Sequence, residues 1–315
     1  FTITVTPPPG ATVTSTWTLT ATKTWTRTPV LSPTRTPTVT FSPTRTYSIT
    51  RTPSSTRSAT RTFTGTFTET PTFTVTPTQD APILFRTNRD GTWELYRMKP
   101  DGSGALRLTN NAEAEIAPAW SPDGFRIAYQ SDATGDDEIF VMNSDGSGVL
   151  NLTNNPGSDE HPSWSPDGLR IAFHSNRAGD DEIYTMSSFD GTAVVQLTFN
   201  GADDRNPAWS QNGKIAFSSN LFGNRDIFTM DWNGGLLARK TTDGAEDDYP
   251  ALSPDGSMIA FVALRNGNEE IYTMTYAGAS QTRLTANTAA DRWPFWSRSG
   301  DLIGWHAWDL SDWEI

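Results

Sequence analysis

An all-β fold assembled from repeated small sheets is predicted, on three observations. A five-residue phrase recurs through the second half of the chain at intervals of 44, 45, 43 and 44 residues. It reads Trp120-Ser121-Pro122-Asp123-Gly124, then Trp164-Ser165-Pro166-Asp167-Gly168, then Trp209-Ser210-Gln211-Asn212-Gly213. Leu252-Ser253-Pro254-Asp255-Gly256 and Trp296-Ser297-Arg298-Ser299-Gly300 follow. Short β-branched and aromatic runs, separated by Asp-Gly and Asn-rich turns, fill the space between copies. Repeats of this length with turn chemistry inside each unit predict a β-propeller, one four-stranded antiparallel blade per repeat.

The chain opens on a different kind of sequence. Residues 1–79 alternate threonine with proline, serine and aromatics, and hold seven Lys or Arg against one acid, Glu69. Alternating threonine alone would suit a strand, but the prolines remove backbone donors and no Asn-Gly or Asp-Gly turn folds the run back. This stretch is expected to be a disordered low-complexity linker, extended and semi-stiff, with a composition that also suits O-glycosylation.

From residue 80 the repeat plan takes over, and residues 162–198 show it. Ser163-Trp164 ends a first strand, and Ser165-Pro166-Asp167-Gly168 turns the chain. Proline fixes φ, aspartate bonds its own backbone, and glycine takes a left-handed conformation. Ile171-Ala172-Phe173 is the second strand, Glu182 to Met186 the third, and Val194 to Thr198 the fourth. The second strand returns as Ile127-Ala128-Tyr129, Ile215-Ala216-Phe217 and Ile259-Ala260-Phe261, with degraded copies at Leu84-Phe85 and Ile303-Gly304-Trp305. Six second strands predict six blades. Trp120, Trp164, Trp209 and Trp296 are expected to fill the wedges between blades, with Met98, Met142, Met186, Met230 and Met274 adapting to the remaining gaps. Both ends are incomplete. The first blade lacks its tryptophan strand, and the sixth stops at Glu314-Ile315 inside its third strand, about 25 residues short if the period continues. A truncated last blade is therefore expected, its edge partly open.

Charge divides as sharply as composition. The totals of 24 bases and 36 acids leave 17 and 35 for residues 80–315, a balance of −18. A domain so acidic repels phosphate backbones, which argues against nucleic acid and for a basic protein or peptide. The chain has no cysteine, so disulfides and thiolate sites are excluded. No apolar run reaches the roughly 18–20 residues needed to cross a bilayer.

The motif series Trp-Ser-Pro-Asp-Gly, Ile-Ala-Phe, Asp/Glu-Ile-Tyr-x-Met, Asp-Gly and Leu-Thr resembles the repeat of the TolB-type propellers, from about residue 82 to 315. That resemblance implies an extracytoplasmic, non-catalytic propeller that binds protein partners at the mouth of its central channel. TolB proper also carries an N-terminal α/β domain, whose place the threonine-rich arm takes here.

Candidate site residues follow from the repeat. Three residues before the proline that opens each first strand stands an acid: Glu115, Asp159, Asp204, Asp247 and Asp291. Rotation by the repeat sets these five as a ring on one face. If they point inward, the channel mouth becomes negative and suits a basic peptide or Ca²⁺; if not, each caps backbone N–H groups of its own loop. Between acid and proline the residues vary, and Glu160, His161, Arg205, Tyr249, Arg292 and Trp293 are the side chains expected to touch a partner. A second acidic series, Glu94, Glu138, Glu182, Asp226, Glu270 and Glu314, lacks calcium-loop spacing and is assigned to blade-edge hydrogen bonding and solvation. His174 and His306 fall on opposite blades, too far apart to share a metal, and His161 is expected to stand alone near the mouth. No Gly-x-Ser-x-Gly elbow or phosphate loop occurs, and no cofactor or catalytic residue is assigned.

The expected function is a monomeric, non-catalytic protein- or peptide-binding propeller displayed at the periplasm or cell surface on its spacer. Two other readings use sequence outside residues 1–315: the gate of a prolyl-oligopeptidase-like hydrolase, and the outer sensor domain of a membrane-bound receptor or kinase.

Overall fold

A computed structural model describes residues 82–308 and 313–314, so the expected linker of residues 1–79 lies outside the described residues. Among the described residues all 22 regular elements are strands, grouped in six sheets. The first sheet holds β1 (Ile83–Thr87), β2 (Glu94–Met98) and β3 (Leu106–Arg107). The second holds β4 (Glu115–Trp120), β5 (Arg126–Ser131), β6 (Glu138–Asn143) and β7 (Leu150–Asn151). The third holds β8 (Asp159–Trp164), β9 (Arg170–Ser175), β10 (Glu182–Ser187) and β11 (Val195–Gln196). The fourth holds β12 (Asp204–Trp209), β13 (Lys214–Ser219), β14 (Asp226–Asp231) and β15 (Ala238–Arg239). The fifth holds β16 (Asp247–Leu252), β17 (Met258–Ala263), β18 (Glu270–Thr275) and β19 (Thr282–Arg283). The sixth holds β20 (Ala290–Trp296), β21 (Ile303–Trp308) and β22 (Trp313–Glu314).

Each sheet is an antiparallel meander, and the first strands β4, β8, β12, β16 and β20 lie against one another in succession to form the hub. The first sheet has no such strand among the described residues: β1 occupies the second-strand place. The two three-stranded sheets are thus the two incomplete blades that the sequence predicts. They approach each other through Arg86, whose guanidinium lies 4.5 Å from the Trp293 ring centroid and 4.8 Å from that of Trp93.

The core lies between blades. Ala128, Ile139 and Leu152 of one sheet pack with Trp164, Ile171, Phe173 and Met186 of the next, and the same grouping recurs around the fold. Within each of the first five sheets, a cross-strand aromatic pair such as Tyr129–Phe140 or Phe217–Phe228 holds its rings 5.7–5.9 Å apart. Two of the expected wedge tryptophans also tie blades by hydrogen bonds. Trp164 Nε1 donates to the Ala119 carbonyl and Trp296 Nε1 to the Ala251 carbonyl, each at 3.0 Å.

Fourth strands are shorter than their Leu-Thr signature suggests, two residues each, and the threonine is the reason. The hydroxyls of Thr109, Thr153, Thr198, Thr241 and Thr285 accept the backbone N–H of Leu95, Ile139, Ile183, Ile227 and Ile271 at 2.8–2.9 Å. A side chain replaces the next carbonyl of the ladder, so the donor is satisfied while the strand ends.

The turn between third and fourth strands leans on the preceding blade. A Cβ on Gly234, whose φ is +83°, would stand 2.8 Å from the Leu197 carbonyl oxygen; Gly146 and Gly278 face Leu108 and Lys240 in the same way. Gly244 has the matching φ of +82° with nothing within 4 Å, so it isolates backbone strain from this contact. Gly234→Ala is expected to lower the unfolding free energy by about 1–3 kcal/mol more than Gly244→Ala, measured by chemical denaturation. Equal losses would show that the turn does not press on its neighbour.

Candidate functional site

The site begins with carboxylates that solvent does not reach. Glu115 is 1 % exposed, and Asp159, Asp204, Asp247 and Asp291 are each 0 % exposed. They do not form the expected partner-binding rim, because each is engaged inside the fold. Asn111, Asn155, Asn200 and Asn287 donate side-chain N–H groups to Glu115, Asp159, Asp204 and Asp291 at 2.6–2.9 Å. Asp247 instead accepts Arg265 Nη2 at 2.8 and 3.0 Å, and Asp159 accepts Arg177 Nη2 at 2.7 Å. Burial raises the Glu115 and Asp204 carboxyls and pushes Asp247 up to about 6 despite its arginine.

Backbone capping, the alternative role considered for this ring, falls largely to the second acidic series. Glu94, Glu138 and Glu182 accept the backbone N–H of Asn111, Asn155 and Asn200 at 3.2, 3.1 and 2.8 Å. Contrary to the solvation expected for this series, Glu94, Glu138, Glu182, Asp226 and Glu270 are at most 3 % exposed. One asparagine therefore links the third-strand acid of a blade to the first-strand acid of the next.

Two residues beyond each first-strand acid the chain does something that L-residues avoid. Ala117, His161, Asn206, Tyr249 and Trp293 have φ between +48° and +55°, each directly before a proline. The strand register shifts at the same places, between Ile116 and Ala119, Glu160 and Ser163, Arg205 and Ala208, Asp248 and Ala251, and Arg292 and Phe295. These are β-bulges: proline has no N–H for the ladder, and the extra residue is accommodated by a left-handed turn.

The bulges bring side chains together across the hub. His174 and His161 rings lie 5.3 Å apart, His161 and Tyr249 6.1 Å, Tyr249 and Trp293 5.7 Å, and Trp293 and His306 5.6 Å. A chain of five rings thus runs from the third sheet to the sixth, where an acid-rimmed opening was expected. Of the anticipated contact residues, His161, Tyr249 and Trp293 belong to this chain. Glu160 stands beside it, Arg205 is held by Asp181, and Arg292 is held by Glu269.

His161 is not alone. Glu160 pairs directly with His174 across the ladder, which puts both on one face, and the bulge turns the following residue, His161, to the same side. Glu160 Oε2 lies 3.7 Å from His174 Nε2 and 3.9 Å from His161 Nδ1. Among the described residues, these three are the one group of His, Asp and Glu side chains gathered closely enough to hold a metal ion. The five first-strand acids, suited to Ca²⁺ if they pointed inward, form no such group among the described residues. Burial lowers His161 and His306 to about 4, and lowers His174 well below its ordinary value, so all three imidazoles are neutral at pH 7.

Sequence reasoning weighed His174 and His306 but passed over the other residues at their position, opposite the bulges. Arg86, Gln130, His174, Ser218, Val262 and His306 occupy one equivalent second-strand position, two of them paired with Glu160 and Arg292. The signal was available in the 44-residue register, since this position directly follows the second-strand aromatic. Asn206 was passed over as well; its side chain donates to Asp248 at 2.7 Å.

Comparison with known proteins agrees with this architecture. The TolB beta propeller domain family matches residues 107–220 and 205–309. A Tol-Pal system protein TolB from Desulfosudis oleivorans is 38% identical over 52 residues, which span 16% of this chain and 12% of that protein. The structure of TolB from Acinetobacter baumannii aligns with a TM-score of 0.63 at 24% identity, covering 73% of this chain and 58% of that one. A putative TolB from Agrobacterium tumefaciens aligns with a TM-score of 0.57 at 22% identity, covering 65% and 80%. At these identities the solved structures speak for the fold.

The histidine environment gives a pH prediction. His306 binds its proton less tightly folded, at about 4, than unfolded, at 6.5. Its contribution is therefore present above pH 6.5 and lost as the pH falls toward 4. Relative to His306→Gln, the native chain is expected to lose up to about 3 kcal/mol of stability over that interval, read from urea melts at a series of pH values. A pH-independent difference would contradict the buried, neutral assignment.

Proposed function

The chain belongs to the TolB β-propeller family, and from that premise we propose that it is a non-catalytic scaffold whose hub binds a protein or peptide segment outside the cytoplasm, in the periplasm or at the cell surface. The threonine- and proline-rich residues 1–79 serve as its spacer. One observation carries this reading: five successive blades hold a non-glycine residue in the left-handed region, and four of those residues are His161, Asn206, Tyr249 and Trp293. Strained backbone repeated at one position of a repeat scaffold, with a different side chain each time, is what a recognition surface requires. Tyrosine and tryptophan are also the side chains that anchor interfaces.

The partner is proposed to be basic. Arg205 is neutralised by Asp181 and Arg292 by Glu269, so the −18 balance of residues 80–315 sets the long-range field. No observation among the described residues favours the hydrolase-gate or receptor-sensor reading.

Linear peptides selected on the immobilised full chain test the proposal. Selected peptides are expected to be Lys- or Arg-rich and to weaken with added salt. Their affinity is expected to fall at least about tenfold with Trp293→Ala or Tyr249→Ala. Peptides that bind both variants as tightly as the native chain would refute the hub as the binding surface.

A further inference from the structure

The Glu160, His161 and His174 group has a feature that a peptide-binding hub does not require. His161 Nδ1 is buried without a hydrogen-bond partner, and it stands 3.9 Å from Glu160 Oε2, outside hydrogen-bond range. His174 Nε2 stands 3.7 Å from the same oxygen, again too far for a hydrogen bond. Two imidazole nitrogens and a carboxylate oxygen thus lie within 4.8 Å of one another with a gap between them.

The size of the gap is informative. Zinc binds histidine nitrogen and carboxylate oxygen at about 2.0–2.2 Å, and a tetrahedral arrangement then separates its ligand atoms by roughly 3.4 Å. The observed 3.7 and 3.9 Å are a few tenths of an ångström wider, within reach of small side-chain rotations. We propose that Glu160, His161 and His174 form a three-ligand site for a first-row divalent transition metal, with Zn²⁺ as its reference ion and a fourth position left open to solvent or to a bound partner. Two imidazoles and one carboxylate are the donor set of open zinc sites, whereas Ca²⁺ and Mg²⁺ require more oxygen ligands than this group offers.

The supporting structure fits this assignment. The two histidines come from neighbouring strands and the bulge fixes their approach, so the donors are held by backbone geometry rather than by a loop. Gln130 Oε1 accepts the His161 backbone N–H at 3.4 Å. Asp137, Asp181 and Asp248 act electrostatically on the cluster in favour of a dication, and Arg86, Arg205 and Arg225 oppose them. Binding has one cost. The Asn206 N–H donates to His174 Nδ1 at 3.5 Å, which sets the ring proton on Nε2. An ion at Nε2 moves that proton to Nδ1 and breaks the long contact. Micromolar affinity is therefore expected, weaker than a closed structural zinc site.

Isothermal titration of the full 315-residue chain, stripped with chelator, tests this directly. Zn²⁺ is expected to bind once per chain with micromolar or tighter affinity, while Ca²⁺ and Mg²⁺ give no saturable heat. Co²⁺ is expected to show the visible d–d absorption of a four-coordinate site. Glu160→Gln and His161→Ala, both at partly exposed positions, are each expected to weaken Zn²⁺ binding by at least about tenfold. Absence of saturable Zn²⁺ binding, or binding that both variants leave unchanged, would overturn the assignment. Either result leaves the peptide-selection experiment to judge the hub separately.

Discussion

In each first strand a buried carboxylate and a proline stand three residues apart, and the backbone between them must turn left-handed. The rest of the hub depends on that constraint. Proline offers no N–H to the ladder, so the strand cannot continue its pairing evenly past it. The mismatch is absorbed by an extra residue, and two consecutive side chains then reach the same side of the sheet. Without the bulge, His161 would point away from His174, and Tyr249 and Trp293 would leave the ring chain.

The constraint holds because the start of each strand is fixed. A carboxylate with almost no solvent access is costly unless its oxygens are engaged, and losing one partner would strand a buried charge. The asparagine between blades answers both needs at once. Asn155 gives its backbone N–H to Glu138 and its side chain to Asp159, which binds two blades through one residue. Repetition of this bridge at Asn111 and Asn200 makes blade spacing a matter of hydrogen-bond geometry as well as apolar packing.

Much of the architecture was legible in the residues. Strand positions followed from the 44-residue phrase, and the buried Phe173, Phe217 and Phe261 are the predicted second-strand aromatics. Variation before proline pointed to His161, Tyr249 and Trp293. What sequence did not reveal was direction. Glu115 and Asp159 look like rim charges because acids are rarely buried, and only the asparagine partners explain why these are. His161 and His174 are 13 positions apart, and their meeting depends on a bulge that shifts register, which a repeat period alone does not encode. Arg86 was missed because the first sheet lacks the phrase that marks the others.

The left-handed residue is a property that the fold imposes and the side chain endures. Ala117 and Ala119 lie in one strand, both small and partly buried; Ala117 has φ of +48°, whereas Ala119 has no left-handed φ and packs against the inter-blade core. Replacing each with glycine and measuring unfolding free energy by denaturant titration separates them. Ala117→Gly should leave stability unchanged or raise it by up to about 1 kcal/mol, because relief of left-handed strain offsets the glycine entropy cost. Ala119→Gly should lower it by roughly 0.5–1 kcal/mol. An Ala117→Gly loss as large as that of Ala119→Gly would contradict the bulge on which the hub is built.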